Sequence, residues 1–244
     1  MSHTPRPPHA QDRLTAHFLS RDTIRSRSVS DIVLCAQIDV PAPPPRIVAD
    51  WDREIAAQLF LEPGDVEPMP LARTRARWPD LARCVQAMRE WMDALGLPGI
   101  LDDSDMALMA CRGARYHHDG AHYGGAAFCN LFLSEDKGLD VHFPEIGQRI
   151  PLTRGTAMIF DTGQPHGVIR RDGNAFDAAH FAADRNNAQV FLSWELPIEE
   201  ARLGDALGIT FDVLPSTPAS TGEEQILLNG ANATLCPDSG LWHR

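Results

Sequence analysis

The sequence lacks any apolar run near the roughly 20 residues that a membrane-spanning helix requires. Its longest runs, around 31–35 and 156–160, are a handful of residues each. The opening stretch MSHTPRPPHAQDR has basic residues with no apolar segment behind them, so no signal peptide is expected, and neither is a membrane partner. Positive charge is in short supply: 22 Lys and Arg stand against 33 Asp and Glu, a net charge of −11. A chain that grips phosphate backbones carries a basic patch, so nucleic acid is not an expected partner. Cysteine is sparse and scattered. The five (Cys35, Cys84, Cys111, Cys129 and Cys236) are odd in number and form no CxxC pair. That excludes a disulfide framework, fits a reducing compartment, and makes a cytoplasmic location the expectation. No internal repeat and no low-complexity block is present.

What is present is an ordinary globular composition, 43% hydrophobic and 23% charged over 244 residues, which suits one structural domain. Within it we expect three stretches. Residues 1–104 supply an N-terminal arm, a strand and supporting helices; 105–200 a β-rich catalytic core; 201–244 a C-terminal helix and tail. The first thirteen residues read as a loose arm, 31–39 as a strand, and 51–61 as a short helix opened by Asp50. Over 78–95, Leu81, Val85, Met88, Trp91, Met92 and Leu95 recur at intervals of 4, 3, 3, 1 and 3, the stripe of an amphipathic helix that packs on a core. Beyond 105 the period changes. Short strands are expected at 106–112, 115–118, 126–133, 139–143, 156–160, 166–171 and 188–196, punctuated by glycines and charged turns, which argues for a sandwich or barrel. A last helix is expected at 197–207, with 214–244 covering the surface.

Six of the ten histidines (His117, His118, His122, His142, His166 and His180) fall inside this strand-rich part. His117 and Asp119 are two apart, so on an extended strand both side chains leave the same face. His166 opens a later strand and can bring a second imidazole to the same point. Two imidazoles and one carboxylate, with positions left open for other ligands, form the facial triad of non-haem Fe(II) oxygenases. The absence of thiolate argues against a structural zinc site. An isolated HxD is weak evidence, since a surface loop ending in Asp-Gly yields the same letters.

The surrounding pattern is more specific. Gly113 precedes His117-His118-Asp119; Phe128-Cys-Asn-Leu-Phe-Leu-Ser forms a strand. Gly138-Leu-Asp-Val-His-Phe-Pro144 and Gly155-Thr-Ala-Met-Ile-Phe160 follow, and then His166. In this order and spacing, residues 112–169 resemble the iron(II)- and 2-oxoglutarate-dependent dioxygenases, specifically the prolyl 4-hydroxylase-like branch. The resemblance covers about 85 residues if the strand 188–196 is included. It implies a mostly β fold with flanking helices (α+β): a double-stranded β-helix, or jelly roll, with N-terminal helices packed on it. It also implies Fe(II) held by His117, Asp119 and His166, with 2-oxoglutarate and O2 as cosubstrates. The expected activity is hydroxylation of a small molecule, such as an amino acid or related metabolite, with release of succinate and CO2. The alternative is a metal-binding or sensing jelly roll without turnover.

Family members anchor the far carboxylate of 2-oxoglutarate on a basic residue about ten positions past the distal histidine. Here that position is Phe176, within an enlarged hairpin. Arg185, just before the last strand, is the first candidate for the anchor. Arg170, four residues past His166 and of the same strand parity, is the rival; either guanidinium suits a carboxylate. Parity puts Phe128, Asn130 and Phe132 on the inner face of 126–133, so Asn130 is a further cosubstrate contact or a buried structural amide. Val141 is pointed toward the cosubstrate and His142 away from it. His118, on the opposite strand face from His117, is expected to meet substrate or solvent, and His122 is a lesser alternative ligand. The loop 120–125 and the insertion 172–187 flank the mouth, so Tyr123 and Arg171 are candidate substrate contacts. Trp194 joins them by comparison with the family. His180 is expected at the surface.

Overall fold

The computed structural model describes residues 13–57, 61–181, 186–214 and 225–243. In chain order it runs β1 (Leu14–Ser20), β2 (Thr23–Ser28), β3 (Val33–Gln37), α1 (Pro45–Ala57), β4 (Val66–Met69), α2 (Leu71–Arg77) and α3 (Leu81–Ala94). Then come β5 (Met106–Cys111), β6 (Ala114–His117), β7 (Ala126–Phe132), β8 (Leu139–Phe143), β9 (Gln148–Pro151), β10 (Thr156–Asp161), β11 (His166–Arg170) and β12 (Gln189–Pro197). The chain closes with α4 (Ala201–Ala206), β13 (Gln225–Leu228), β14 (Ala231–Asn232), β15 (Thr234–Leu235) and β16 (Trp242–His243). A short 3-10 turn at Ala178–Phe181 interrupts the connection into β12.

Two sheets carry the body. One has six strands in the order β3-β10-β7-β12-β5-β4, the other four in the order β6-β11-β8-β9, and all of their pairings are antiparallel. The eight strands β5 to β12 are therefore dealt between the sheets as β10-β7-β12-β5 and β6-β11-β8-β9. A period of two decides what each strand buries. In β7, Ala127, Cys129 and Leu131 join a core with Ile47, Trp51, Trp78, Met88 and Met92 of the helical region, while Phe132 faces the other sheet. In β10, Ala157 and Ile159 face the helices while Met158 and Phe160 face inward. In β12, Val190, Leu192, Trp194 and Leu196 take the helical side. Both faces of the six-stranded sheet are thus covered, which is why these strands read as nearly continuous apolar runs.

The helical layer follows from its sequence stripe. Leu81, Cys84, Met88 and Met92 of α3 are buried at helical spacing, and Gly96, at φ +79, ends the helix in the left-handed region. Trp51 of α1 meets Trp78 edge-on at 6.1 Å and donates its Nε1–H to Thr74 Oγ1 at 3.0 Å. The expected helix at 51–61 begins earlier, at Pro45, because a proline is compatible with a first helical turn. The hairpin β1–β2 and the helix α2 were not expected. β2 (TIRSRS) is largely polar and β1 (LTAHFLS) mixed, and the two form a third sheet, β14-β13-β1-β2, in which the chain's early and late segments pair. Part of the tail expected to lie as surface covering is therefore strand. The expected arm, residues 1–12, lies outside the described residues.

Candidate metal centre

β6 and β11 are neighbours in the four-stranded sheet, and His117 pairs directly with His166 across them. Their rings lie 4.4 Å apart. Asp119 follows β6 by two residues, and its Oδ2 is 3.8 Å from His117 Nε2 and 3.5 Å from His166 Nε2. One donor atom from each residue lies within 4.8 Å of the other two, and among the described residues this is the one such cluster of three. Both imidazoles are oriented from behind. His117 Nδ1–H donates to the Arg115 carbonyl at 2.7 Å and His166 Nδ1–H to the Gln164 carbonyl at 3.0 Å. These bonds fix the tautomer and leave each Nε2 lone pair facing Asp119, the arrangement that metal-binding histidines adopt. Burial, and then the nearby His117, push His166 down to about 4, so it is neutral near pH 7, the state a ligand must have. Two imidazoles and a carboxylate suit an octahedral, oxygen-activating ion such as Fe(II).

The loops that carry Asp119 and His166 are tied together. The Asp119 amide donates to the Thr162 carbonyl at 2.8 Å, and Thr162 Oγ1 donates to the carbonyls of Tyr123 and Ala126. Asp161, at the end of β10, is fully buried. It accepts from Arg27 Nη1 and Nη2 at 2.6 and 2.8 Å, and from the amides of Ser30 and Gly163 at 2.8 Å each. Neither Arg27 nor Asp161 was singled out in the sequence. The signal available was one-sided: an acid ending the wholly buried strand TAMIFD, immediately before the loop to His166.

A cavity of about 310 Å³ opens beside the triad between the two sheets. His117, Asp119, Tyr123, Phe128, Asn130, Phe132, Val141, Phe160, His166, Phe191, Ser193 and Glu195 are among its walls. Phe160 packs edge-on to His166 at 4.8 Å. Deeper in, Phe132 and Phe191 stack at 4.9 Å. Asn130, Tyr123 and Val141 all lie on the cavity wall.

Other expected contacts lie elsewhere. Arg170 does not reach the cavity: the inward parity of β11 serves His166 and Val168, but Arg170 ends the strand and folds onto Asp172 with two bonds of 2.7 Å. Arg171 is held by Asp136 and Asp140 at 2.8 to 2.9 Å, away from the cavity lining. Trp194 faces the helices, because Phe191, Ser193 and Glu195 take the cavity side of β12 and alternation sends Trp194 to the other. His118 also points away from the cavity and packs against Trp242 at 5.0 Å. His142 accepts or donates at 2.6 Å with the Tyr116 hydroxyl, His122 is exposed outside the cluster, and His180 lies near Asp177. Arg185 lies outside the described residues.

Neither the family models nor the curated proteins yield a match to this chain. Among solved structures it is similar to a Pseudomonas putida prolyl-4-hydroxylase, at 17% identity over 67% of this chain and 91% of the other, with a TM-score of 0.39. A viral collagen prolyl hydroxylase from Paramecium bursaria Chlorella virus-1, in complex with 2-oxoglutarate, matches at 12% identity over 67% and 94%, with a TM-score of 0.39. The non-haem alpha-ketoglutarate-dependent epimerase SnoN of nogalamycin biosynthesis matches at 14% identity over 84% and 92%, with a TM-score of 0.35. At such identities and scores, what the site does is read from its own side chains.

Proposed function

We propose that the protein is an Fe(II)- and 2-oxoglutarate-dependent dioxygenase that hydroxylates a small molecule. The observation that carries this reading is the convergence of His117, Asp119 and His166 at the edge of a cavity between the sheets, with both imidazoles fixed by backbone carbonyls. The strand orders β10-β7-β12-β5 and β6-β11-β8-β9 support a jelly roll, since β5 to β12 pass back and forth between two antiparallel sheets except at the β8–β9 hairpin, which stays within one. Iron with 2-oxoglutarate and O2 supplies the oxidation of a C–H bond, with succinate and CO2 released.

The chain's own work is positional. His117, Asp119 and His166 would hold the metal on one side and leave the cavity side for cosubstrate and substrate. Phe128, Phe132, Phe160 and Phe191 keep that space dry, and a dry site strengthens every polar contact within it. The far carboxylate of 2-oxoglutarate needs a cation, and no Lys or Arg is among the described residues that line the cavity. We assign that role to Arg185, which precedes β12, and a second contact to the Asn130 amide N–H. The lack of a cation among the described lining residues is also what favours the rival reading, a metal-binding jelly roll without turnover.

Anaerobic loading with Fe(II), then addition of 2-oxoglutarate, separates the two through the visible charge-transfer band of a chelated keto acid. A band in the wild type that is lost in His117→Ala and weakened in Arg185→Ala, but kept in Arg170→Ala, supports the oxygenase reading. Iron binding with no band at millimolar 2-oxoglutarate overturns it in favour of the rival.

A further inference from the structure

The cavity beside the metal ligands has a one-sided polar inventory. Besides the triad, its described walls offer the carboxylates of Glu195 and Asp105, the hydroxyls of Ser193 and Tyr123 and the Asn130 amide, with no Lys or Arg. Glu195 lies on the cavity face of β12, two residues from Ser193, and Ser193 pairs with Asn130 across β7. Asp105 immediately precedes β5 and sits beside Glu195, since Trp194 pairs with Met106 in the same register. Burial first and then Asp105 raise the Glu195 carboxyl above its usual range. Neither carboxylate forms an ion pair with a described residue. Two acids this close repel each other, and no Lys or Arg among the described lining residues offsets them.

A second, independent observation lies deeper. Asn130 is only 7% exposed, and its Oδ1 has no hydrogen-bond partner. A buried amide oxygen without a donor is destabilising, and this one stands on the cavity wall. An orphan acceptor asks for a ligand that donates. The carboxylates at the rim, acceptors only when ionised, ask for the same thing.

We propose that the substrate of this site is an amine: a primary or secondary ammonium group seated between Glu195 and Asp105 and donating inward to Asn130 Oδ1, with an apolar body along Phe128 and Tyr123. The ring pair of Tyr123 and Phe128, 5.1 Å apart, leads from that seat toward His166 by way of Phe160. The carbon to be oxidised then lies on the apolar body, away from the nitrogen. This names the substrate class of the oxygenase proposed above and rests on that reading for its chemistry, although the binding preference itself needs no metal.

The test compares three probes of one shape, 4-phenylbutylamine, 4-phenylbutanol and 4-phenylbutanoate, titrated calorimetrically into metal-free protein. The amine is expected to bind about tenfold more tightly than the alcohol and more tightly still than the acid, because a partly exposed charge pair is worth on the order of a kcal/mol. Glu195→Gln and Asp105→Asn, both exposed, are each expected to lower the amine's affinity several-fold, with a melting temperature unchanged or slightly raised as the repulsion between them is relieved. Asn130→Leu is the most telling variant. If the amide serves a ligand, this change weakens amine binding while leaving the fold as stable or more so; a structural amide gives a loss of stability instead. Equal binding of amine and acid, no measurable amine binding at about 10 mM, or an amine preference untouched by Glu195→Gln overturns the proposal. Mn(II) binding followed by electron paramagnetic resonance runs beside it. An amine preference in a protein that binds no Mn(II) would sink the oxygenase reading and leave this one standing; Mn(II) binding with a preference for the acid would do the reverse.

Discussion

Replacing Arg27 with Met strands the Asp161 carboxylate. In the native protein both side chains are fully buried, and the guanidinium meets both carboxylate oxygens at 2.6 and 2.8 Å. Methionine keeps most of the volume but none of the five donors, so Asp161 retains only the amides of Ser30 and Gly163. Removing one partner of a buried pair typically costs about 3–5 kcal/mol. For a chain of this size each kcal/mol lowers the melting temperature by about 2–4 °C, so a drop of roughly 6–20 °C is expected. The second effect is local. Asp161 begins the loop that delivers Thr162 to the Asp119 amide and then His166 to the cluster. A loosened loop should weaken metal binding by about tenfold or more, as changes behind metal ligands do. The assays are a guanidinium titration analysed by linear extrapolation and a Mn(II) titration of the folded variant. The double variant Arg27→Met, Asp161→Asn removes the stranded charge and should recover part of the stability. A loss of less than about 1 kcal/mol in Arg27→Met would show that Asp161 is satisfied without the arginine, and the reasoning would fail.

Other expectations are simpler. His166→Ala should abolish stoichiometric Fe(II) or Mn(II) binding, whereas His122→Ala, outside the cluster, should leave it intact; the reverse pattern would relocate the site. Gly155 has φ +87, and a Cβ there would come within 2.2 Å of the Ile38 carbonyl oxygen, so Gly155→Ala should destabilise well beyond the ~1 kcal/mol of an ordinary Gly-to-Ala strain, read from its melting temperature. Met88→Ala should cost about 2–5 kcal/mol by opening a cavity between α3 and the six-stranded sheet; denaturant titration measures it. A thiol reagent near pH 8 should label exposed Cys35 rapidly, while Cys84 and Cys111, both pushed up to about 12 by burial, should react only on unfolding; mass spectrometry of the labelled peptides tells them apart.

The residues that proved legible are those where one short period carries the whole message. The two-residue spacing of His117 and Asp119 pointed to one site, although β6 ends at His117 and the bond of the Asp119 amide to Thr162 is what seats the carboxylate; the stripe of α3 needs nothing but its own spacing. Of the strands β5 to β12, all but β9 were readable from their residues and the glycines between them; β9 (QRIP) has no apolar run to announce it. Long-range pairing was not readable. Arg27 looks like a surface charge in a polar strand until Asp161 is placed against it, and TIRSRS gives no apolar alternation to announce β2. Trp194 shows a different failure. Trp194 follows Ser193, the cross-strand partner of Asn130, so alternation sends it to the helical side, against what the family resemblance implied. Arg170 shows the limit of alternation itself, which holds only while the strand lasts: at the last residue of β11 a neighbouring aspartate decides where the side chain goes.

The pairing of β1 with β13 has a consequence for how the molecule comes into being. Arg13 donates to Asn229 across 216 residues of chain, and Leu14 stands opposite Leu228. A contact of that separation forms against the entropy of closing almost the entire polypeptide and contributes nothing until most of the chain is ordered. The hairpin that brings Arg27 to Asp161 belongs to this sheet. The triad's strands can thus pair early, but the brace behind them locks last. A refolding experiment that follows both backbone signal and Mn(II) uptake should therefore find metal binding lagging behind the formation of β-structure.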